Sequence, residues 1–312
     1  MKKDFLSVLD FSANELEQIL ATAVELKARR KAGKVEDGMR GKTLAMYFQK
    51  DSLRTRMTLD IAATSMGGAA VYLDFRNKPM FERESLPDQA RVVSRWVDVV
   101  AMRTFSHQEV IDFAKWCSVP VINALTDYSH PTQVLADVLT LREHWREDGR
   151  SRHLVFVGDG NNNVTRSLAS VCAVLDIKFT IASPEGYKLG EKELARIRKE
   201  TGKDADLTEI TDPREAVKTA DAVYTDVWVS MGLESEKEKR VKAFQGYQVN
   251  RELLNLAPKG TLVLHCLPAD RGYEISDEIM DDPEISVVFD EAENRFHIMR
   301  ALMQEFVVKR GK

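Results

Sequence analysis

Residues 52–56 (Ser-Leu-Arg-Thr-Arg) place two hydroxyl groups and two guanidinium groups within five positions. They follow an apolar run and open a helical pattern. The N-terminus of a helix offers free N–H donors and the positive end of the helix dipole, which suit an anion. Ser52 and Thr55 can add hydroxyl donors, and Arg54 can present a planar fork to a phosphate. The segment therefore indicates phosphate binding, although a plain N-cap at Ser52 with solvated arginines accounts for the local pattern equally well.

Two further polar segments follow apolar runs. Arg103 ends one run and precedes His107. Taken alone, Arg103 is more typical of a surface residue, and His107 is more typical of a residue that caps a helix or packs. His130 precedes Pro131, which suits the first position of a helix. A neutral imidazole at that helix end can hydrogen-bond a carbonyl oxygen, because the dipole disfavours its protonation. A histidine that merely neighbours the helix cap is the alternative interpretation.

The second half of the chain contains segments suited to an amino-acid ligand. Residues 158–163 (Gly-Asp-Gly-Asn-Asn-Asn) lack the third glycine of a dinucleotide fingerprint and the acidic residue that should follow it, which disfavours nicotinamide binding. Their amide side chains could bind a carboxylate or an amine. Asp226 could hold an ammonium group, and residues 230–232 (Ser-Met-Gly) could form a loop over the ligand. An ordinary surface loop remains the alternative there.

His265 and Cys266 raise the possibility of a Cys/His nucleophile. Adjacent residues of a strand point to opposite faces, so the two side chains cannot easily form a hydrogen-bonded pair. We therefore expect Cys266 to make a polar contact or to act as a small buried hydrophobe.

These segments follow apolar runs of strand length that alternate with helical patterns. This alternation favours βαβ units and parallel sheets with both faces covered, an α/β fold whose ligands bind beyond the carboxyl ends of the strands. A capping box at Ser12 predicts a first helix running towards Arg30. The predicted strands are 43–48, 71–75, 99–103, 119–125, 154–158, 179–182, 222–226, 262–266 and 287–289.

The composition is that of a soluble globular protein. The 312 residues include 45 Lys plus Arg against 49 Asp plus Glu, a formal charge of −4, so no global attraction to nucleic acid or to an anionic membrane is expected. The three cysteines form neither a disulfide framework nor a zinc pattern. The start of the chain does not resemble a secretory signal, and no stretch suits a membrane-spanning helix. We expect a cytoplasmic protein.

The length predicts two domains. The helix near residues 131–150 is the best boundary, and the C-terminal helix at 292–312 could cross back onto the first half. We expect one domain of residues 1–135 plus that helix, and a second of 136–291, each a mostly parallel sheet flanked by helices.

Taken together, the segments resemble those of the aspartate/ornithine carbamoyltransferase family, and its ornithine branch most closely. Residues 52–56 are similar to the family's phosphate loop, and 130–133 (His-Pro-Thr-Gln) to its carbamoyl-recognition motif. Asp226 with 230–232, and 265–268 (His-Cys-Leu-Pro), are similar to the ornithine-specific signatures.

The resemblance implies a role for each matching residue. It implies that Ser52, Leu53, Arg54, Thr55, Arg103, His130, Gln133, Cys266, Leu267 and Arg295 bind carbamoyl phosphate, and that Asn163, Asp226, Ser230 and Met231 bind ornithine. Arg54, Arg103, His130 and Cys266 would take part in catalysis. It also implies that the first domain binds carbamoyl phosphate and the second ornithine.

The implied reaction transfers the carbamoyl group to the δ-amine of L-ornithine, giving L-citrulline and phosphate for arginine biosynthesis. It needs no metal or organic cofactor, and the resemblance implies homotrimers or multiples of trimers. Leu53 departs from the family's usual threonine, and Pro79 lies where a glutamine is usual. Transfer to another amine, such as putrescine or an N-acylated ornithine, and a non-catalytic ligand-binding paralogue are the alternatives.

Overall fold

The computed structural model describes residues 3–76, 79–145, 151–229 and 234–309. The chain divides into two compact units. Unit 1 consists of residues 1–136 and 293–312, and unit 2 of residues 137–292. Helices α5 (Pro131–His144) and α12 (Val288–Met303) contain the two points at which the division falls.

The described strands of unit 1 form a parallel sheet in the order β2-β1-β3-β4. All residues of β3 and all but the first of β1 are buried, as expected for central strands covered on both faces, whereas β2 at the edge has exposed residues. The strands are β1 (Thr43–Phe48), β2 (Ala69–Asp74), β3 (Val99–Arg103) and β4 (Val121–Leu125).

Serine side chains cap the first four α-helices. Ser12, Ser52, Ser85 and Ser106 each accept a hydrogen bond from a backbone N–H of the first turn, and Ser12 forms the predicted capping box with Glu15. These caps fix where each helix begins after its loop. The helices are α1 (Ala13–Lys31), α2 (Leu53–Thr64), α3 (Leu86–Val93) and α4 (His107–Trp116).

The C-terminal part of the chain packs on the N-terminal helices within unit 1. Arg300 on α12 donates to the carbonyl oxygen of Leu26 at 3.0 Å. A short π-helical segment, Gln304–Val308, follows α12 and brings the Phe306 ring to 5.9 Å from that of Phe11. The predicted return of the C-terminal helix to the first half is confirmed.

Unit 2 contains a second parallel sheet, in the order β7-β6-β5-β8-β9. Its strands are β5 (His153–Val157), β6 (Lys178–Ala182), β7 (Leu207–Ile210), β8 (Ala222–Thr225) and β9 (Leu262–His265). Its helices are α6 (Asn163–Leu175), α7 (Glu191–Thr201), α8 (Pro213–Ala216), α9 (Lys237–Ala243), α10 (Arg251–Leu254) and α11 (Asp277–Met280).

The strand order of unit 2 reverses between β5 and β8. The chain builds outwards from β5 to β6 and β7, then crosses to the other side for β8 and β9. In open parallel sheets such a reversal leaves a crevice beyond the strand ends, where ligands bind. In this chain, residues 158–163 and Asp226 follow the two strands at that point.

The α/β class and the two parallel sheets flanked by helices are confirmed, and β1 and β3 have the predicted bounds. The strand predicted at 287–289 is wrong, because α12 begins at Val288. Sequence analysis also missed β7, an edge strand in which only Leu207 is buried. Within the described ranges, no helix is both long and apolar enough to cross a membrane.

Candidate active site

Ser52 and the first turn of α2 lie directly after β1. The Ser52 hydroxyl accepts from the backbone N–H of Thr55 at 3.1 Å. The side chain of Leu53 is 73% exposed, so what this residue can offer an anion is its backbone N–H. The turn thus has the free N–H groups and the positive dipole end that suit a phosphate.

Thr55 joins two arginines that lie far apart in the sequence. Its buried hydroxyl accepts from Arg295 Nη2 at 2.8 Å and from Arg103 Nη1 at 3.4 Å. Arg103 ends β3 and Arg295 lies on α12. Both are almost fully buried, so unit 1 concentrates positive charge beside the first turn of α2.

His130 lies among these positive charges, immediately before α5. Burial, with Arg295, Arg103 and Arg54 nearby, holds the pKa of His130 well below its ordinary value. The imidazole is therefore neutral at pH 7 and can hydrogen-bond a carbonyl oxygen. Gln133 is fully buried in the first turn of α5 and donates its backbone N–H to the His130 carbonyl oxygen at 3.1 Å. We call Arg54, Thr55, Arg103, His130 and Arg295 the anion cradle.

His107 supports the turn that precedes His130. Its Nδ1 atom lies 3.0 Å from the hydroxyl of Thr126, and that hydroxyl accepts from the Ser129 backbone N–H at 3.1 Å. The Thr126 backbone N–H also donates to the Ser129 carbonyl oxygen at 2.9 Å. His107 therefore packs and hydrogen-bonds beside the turn that precedes His130, in keeping with the packing role that its sequence context favours.

In unit 2, Asp226 and Cys266 meet at the ends of β8 and β9. Cys266 Sγ donates to Asp226 Oδ1 at 3.2 Å, and the same oxygen accepts from the Val227 backbone N–H at 2.8 Å. Burial and the nearby carboxylate of Asp226 raise the pKa of Cys266 well above its ordinary value. Cys266 is therefore a protonated thiol that makes a polar contact, not the thiolate that a nucleophile requires.

Glu291 on α12 holds β8 and β9 from within unit 2. Its Oε1 accepts from the Tyr224 hydroxyl at 3.1 Å and its Oε2 from the His265 backbone N–H at 2.9 Å. All three residues are fully buried. Burial raises the pKa of Glu291, although its hydrogen bonds with Asp137 and with these two partners act in the opposite direction. Glu291 thus sets the spacing of the strands that end in Asp226 and Cys266.

Asp226, His265 and Cys266 also have ligand atoms within 4.8 Å of one another, a spacing that a metal ion could use. The His265 ring, however, accepts from the Leu267 backbone N–H at Nδ1 and lies 3.0 Å from Glu274 Oε1 at Nε2. Both ring nitrogens are engaged, so His265 has no lone pair for a metal while these bonds are kept.

The remaining predicted ligand residues of unit 2 lie after β5 and β8. Asn163 is the first residue of α6, and Asn162 caps that helix by accepting from the Thr165 N–H at 2.7 Å. The turn before it is tied to α9 by a buried pair, Arg240 Nη1 to Asp159 Oδ2 at 2.6 Å. Ser230 and Met231 fall outside the described residues.

The structure therefore groups the predicted residues in two places. Unit 1 brings the five cradle residues together with Ser52 and Gln133, and unit 2 brings Asp226 and Cys266 into contact. Sequence analysis missed Glu274 and Glu291, whose only local signal is a carboxylate beside apolar residues. It also missed Lys50, whose pKa is lowered by burial and by Arg103.

Comparison with known proteins gives consistent matches over both units. A family model described as the carbamoyl-P binding domain of aspartate/ornithine carbamoyltransferase matches residues 3–143, and the corresponding Asp/Orn binding domain model matches residues 150–306.

The relatives that match this chain over nearly their whole length are named ornithine carbamoyltransferase. An ornithine carbamoyltransferase from Methanoculleus marisnigri is 44% identical over 307 residues, covering 98% of this chain and 97% of that protein. One from Symbiobacterium thermophilum is 46% identical over 302 residues, 96% of each chain. The solved structure of ornithine carbamoyltransferase from Pyrococcus furiosus has a TM-score of 0.92 at 41% identity, covering 98% of this chain and 97% of that one.

Proposed function

The chain belongs to the aspartate/ornithine carbamoyltransferase family, and from that premise we propose that it transfers the carbamoyl group of carbamoyl phosphate to the δ-amine of L-ornithine, giving L-citrulline and phosphate. The observation that carries the proposal is the anion cradle, in which Arg103 and Arg295 converge on Thr55 beside a neutral His130. The names of the relatives support ornithine as the acceptor.

The proposal assigns carbamoyl phosphate to the domain of residues 1–135 with 292–312. Ser52, the Leu53 N–H, Arg54 and Thr55 would bind the phosphate group, since hydroxyl, backbone and guanidinium donors surround the start of α2. Arg103, His130, Gln133 and Arg295 would surround the carbamoyl group, and the proposal also assigns Cys266 and Leu267 to the binding of carbamoyl phosphate.

The proposal assigns ornithine to the domain of residues 136–291. Asp226 would bind the α-ammonium group, because its carboxylate is buried at the strand reversal where an open sheet binds its ligand. Asn163, Ser230 and Met231 would contact the rest of the amino acid. Cys266 would lie near the δ-amine as a protonated thiol.

The chemistry follows from the charge that develops during transfer. The neutral amine forms a C–N bond to the carbamoyl carbon while the C–O bond to phosphate breaks, and the amine proton leaves with the phosphate or to water. Negative charge grows first on the carbonyl oxygen, where Arg103, the neutral His130 and the Thr55 hydroxyl can donate. The Thr55 hydroxyl accepts from two arginines, which leaves its own hydrogen atom free to donate to that carbonyl oxygen. Arg54 and the start of α2 would then stabilise the departing phosphate.

We also propose that the protein acts as a homotrimer or a multiple of trimers in the cytoplasm and supplies arginine biosynthesis. Self-association is supported by apolar side chains exposed at every fourth residue of α2, namely Leu53, Met57 and Ile61, and by Val71 on the edge strand β2. A mass of 35.4 kDa by light scattering would contradict it. Growth without arginine after deletion of the gene, or recovery outside the cytoplasmic fraction, would contradict the other two assignments.

The deciding assay measures citrulline formed from carbamoyl phosphate and L-ornithine. We expect turnover with ornithine, and none above background with aspartate. Putrescine and an N-acylated ornithine serve as matched acceptors, because each lacks one of the charged groups that Asp226 and Asn163 would recognise. A kcat/KM for either of these that exceeds the value for L-ornithine would change the assigned substrate. If no amine is carbamoylated, the protein would instead be a non-catalytic ligand-binding paralogue.

A further inference from the structure

The backbone after β9 adopts a conformation that its sequence disfavours. Leu267 has φ of 57°, in the left-handed region that residues with a bulky side chain rarely enter. Its side chain is half-buried and packs against the apolar core of unit 2. Such a conformation persists only where the surroundings over-determine it, so another group must hold this loop.

The ring of His265 supplies one such restraint. The Leu267 backbone N–H donates to His265 Nδ1 at 2.9 Å, which requires a lone pair on Nδ1. The ring proton must then be on Nε2, which lies 3.0 Å from Glu274 Oε1 and donates to it. The hydrogen bond that His265 donates to Glu274 therefore selects the His265 tautomer that can accept from Leu267.

Glu274 restrains the same loop a second time. Its Oε1 also accepts from the Asp270 backbone N–H at 2.6 Å, three residues beyond Leu267. Glu274 and His265 are both fully buried. Among the described residues, Glu274 Oε2 has no hydrogen-bond partner, so the carboxylate depends on these two donors on Oε1 to compensate for its burial.

We propose that Glu274, acting through His265, is a positioning residue that sets the backbone at Cys266 and Leu267 for carbamoyl transfer. This inference rests on the proposed function, in which those two residues bind carbamoyl phosphate. Glu274 touches neither substrate. It fixes the imidazole tautomer, and the imidazole in turn fixes the Leu267 N–H and the left-handed turn that follows Cys266.

The test compares Glu274→Ala, His265→Ala, the double variant and Glu274→Gln in the citrulline assay. We expect each alanine variant to lower kcat/KM for ornithine about 10- to 100-fold, mainly in kcat, because a misplacement of about 1 Å has effects of that size. The double variant should lie within about threefold of the worse single variant, since the two residues act as one unit. Glu274→Gln should recover most of the loss, because its amide oxygen can still accept both hydrogen bonds.

Glu278→Ala is the matched control, because Glu278 is an exposed glutamate four residues further on that pairs with Arg251 at the surface. It should stay within about twofold of the parent. Binding of inorganic phosphate, which depends on unit 1, should be unchanged in all variants. Unchanged kcat in Glu274→Ala, or losses that multiply in the double variant, would overturn the proposal.

A second measurement separates this inference from the proposed function. ¹⁵N NMR of the parent protein should show His265 protonated at Nε2 and bare at Nδ1, and Glu274→Ala should lose that signature. A proton on Nδ1 would overturn the positioning geometry whatever the assay gives. Absence of citrulline from the parent protein, with the expected His265 signature, would remove the proposed function and leave the geometry in place.

Discussion

The hydroxyl of Thr55 accepts hydrogen bonds from two arginine side chains that are remote in sequence, Arg103 and Arg295. Guanidinium groups carry their charge at every physiological pH, so the protein must control the orientation of these side chains. A single buried hydroxyl does this for both. It also keeps them beside His130, whose protonation they oppose.

Thr55→Val tests this arrangement with almost no change in volume. We expect kcat/KM for carbamoyl phosphate to fall about 10- to 100-fold, because the arginines lose their acceptor and one hydrogen bond to a charged group contributes about 1.5–3 kcal/mol. Thr55→Ser, which keeps the hydroxyl, should stay within about fivefold of the parent. Steady-state kinetics at saturating ornithine provide the measurement, and a Thr55→Val enzyme with parental kcat/KM would contradict the role.

The candidate residues that could be predicted from the sequence are those whose position alone carries information. Arg103, Asp226 and Cys266 each end a predicted strand, His130 comes shortly after another, and the fold brings the ends of neighbouring parallel strands together. Glu274 follows no strand. Its part in the loop depends on a distance of 3.0 Å to His265, which no local pattern encodes.

At the scale of elements, burial decided which strands could be predicted. β1 and β3 are buried along almost their whole length, so their apolar runs have the length of the strands themselves. β7 lies at a sheet edge with one buried residue and gives no such run. The run at 287–289 contains two buried residues, Val287 and Val288, and the exposed Phe289, and three residues cannot distinguish a strand from the first turn of a helix.

Glu291 is the residue through which α12 contacts the ends of β8 and β9. Its removal should therefore lower the stability of unit 2 as a whole. Glu291→Ala leaves the Tyr224 hydroxyl and the His265 N–H buried without an acceptor. At about 1–3 kcal/mol for each group, we expect the free energy of unfolding to fall by about 2–6 kcal/mol. The urea midpoint gives the value.

Asp290→Ala provides the matched control for that experiment. Asp290 is the preceding carboxylate on α12 and pairs with His144 at the surface, an interaction worth about 0–1 kcal/mol. Glu291→Gln keeps an acceptor and should lose less than the alanine variant. Equal urea midpoints for Glu291→Ala and Asp290→Ala would show that Glu291 does not bind the strands to the helix.

At the scale of the whole molecule, both units contain histidines whose protonation folding opposes. Burial is the largest cause of a lowered pKa at four of the six histidines: His107, His130, His153 and His297. His107 and His130 belong to one network through Thr126 and Ser129, so their effects on stability should couple. His153 bonds to Thr180 and Thr219, and His297 lies beside Glu293, so the effects of these two should add.

Acidification should therefore destabilise the protein. For His297, burial lowers the pKa in the folded state to about 4, against about 6.5 in an unfolded chain. Between these values the unfolded state binds the extra proton, so the stability present above about pH 6.5 is lost as the pH falls towards 4, at up to about 1.4 kcal/mol per pH unit. Glu291 opposes this loss, because its raised pKa lets the folded state take up a proton.

Urea midpoints at pH 7.5, 6.5 and 5.5 should fall in the parent protein. They should fall less steeply in His297→Asn, which removes one titrating group and leaves Glu291 in place. Parallel pH profiles for the two proteins would mean that His297 is not held neutral by the fold.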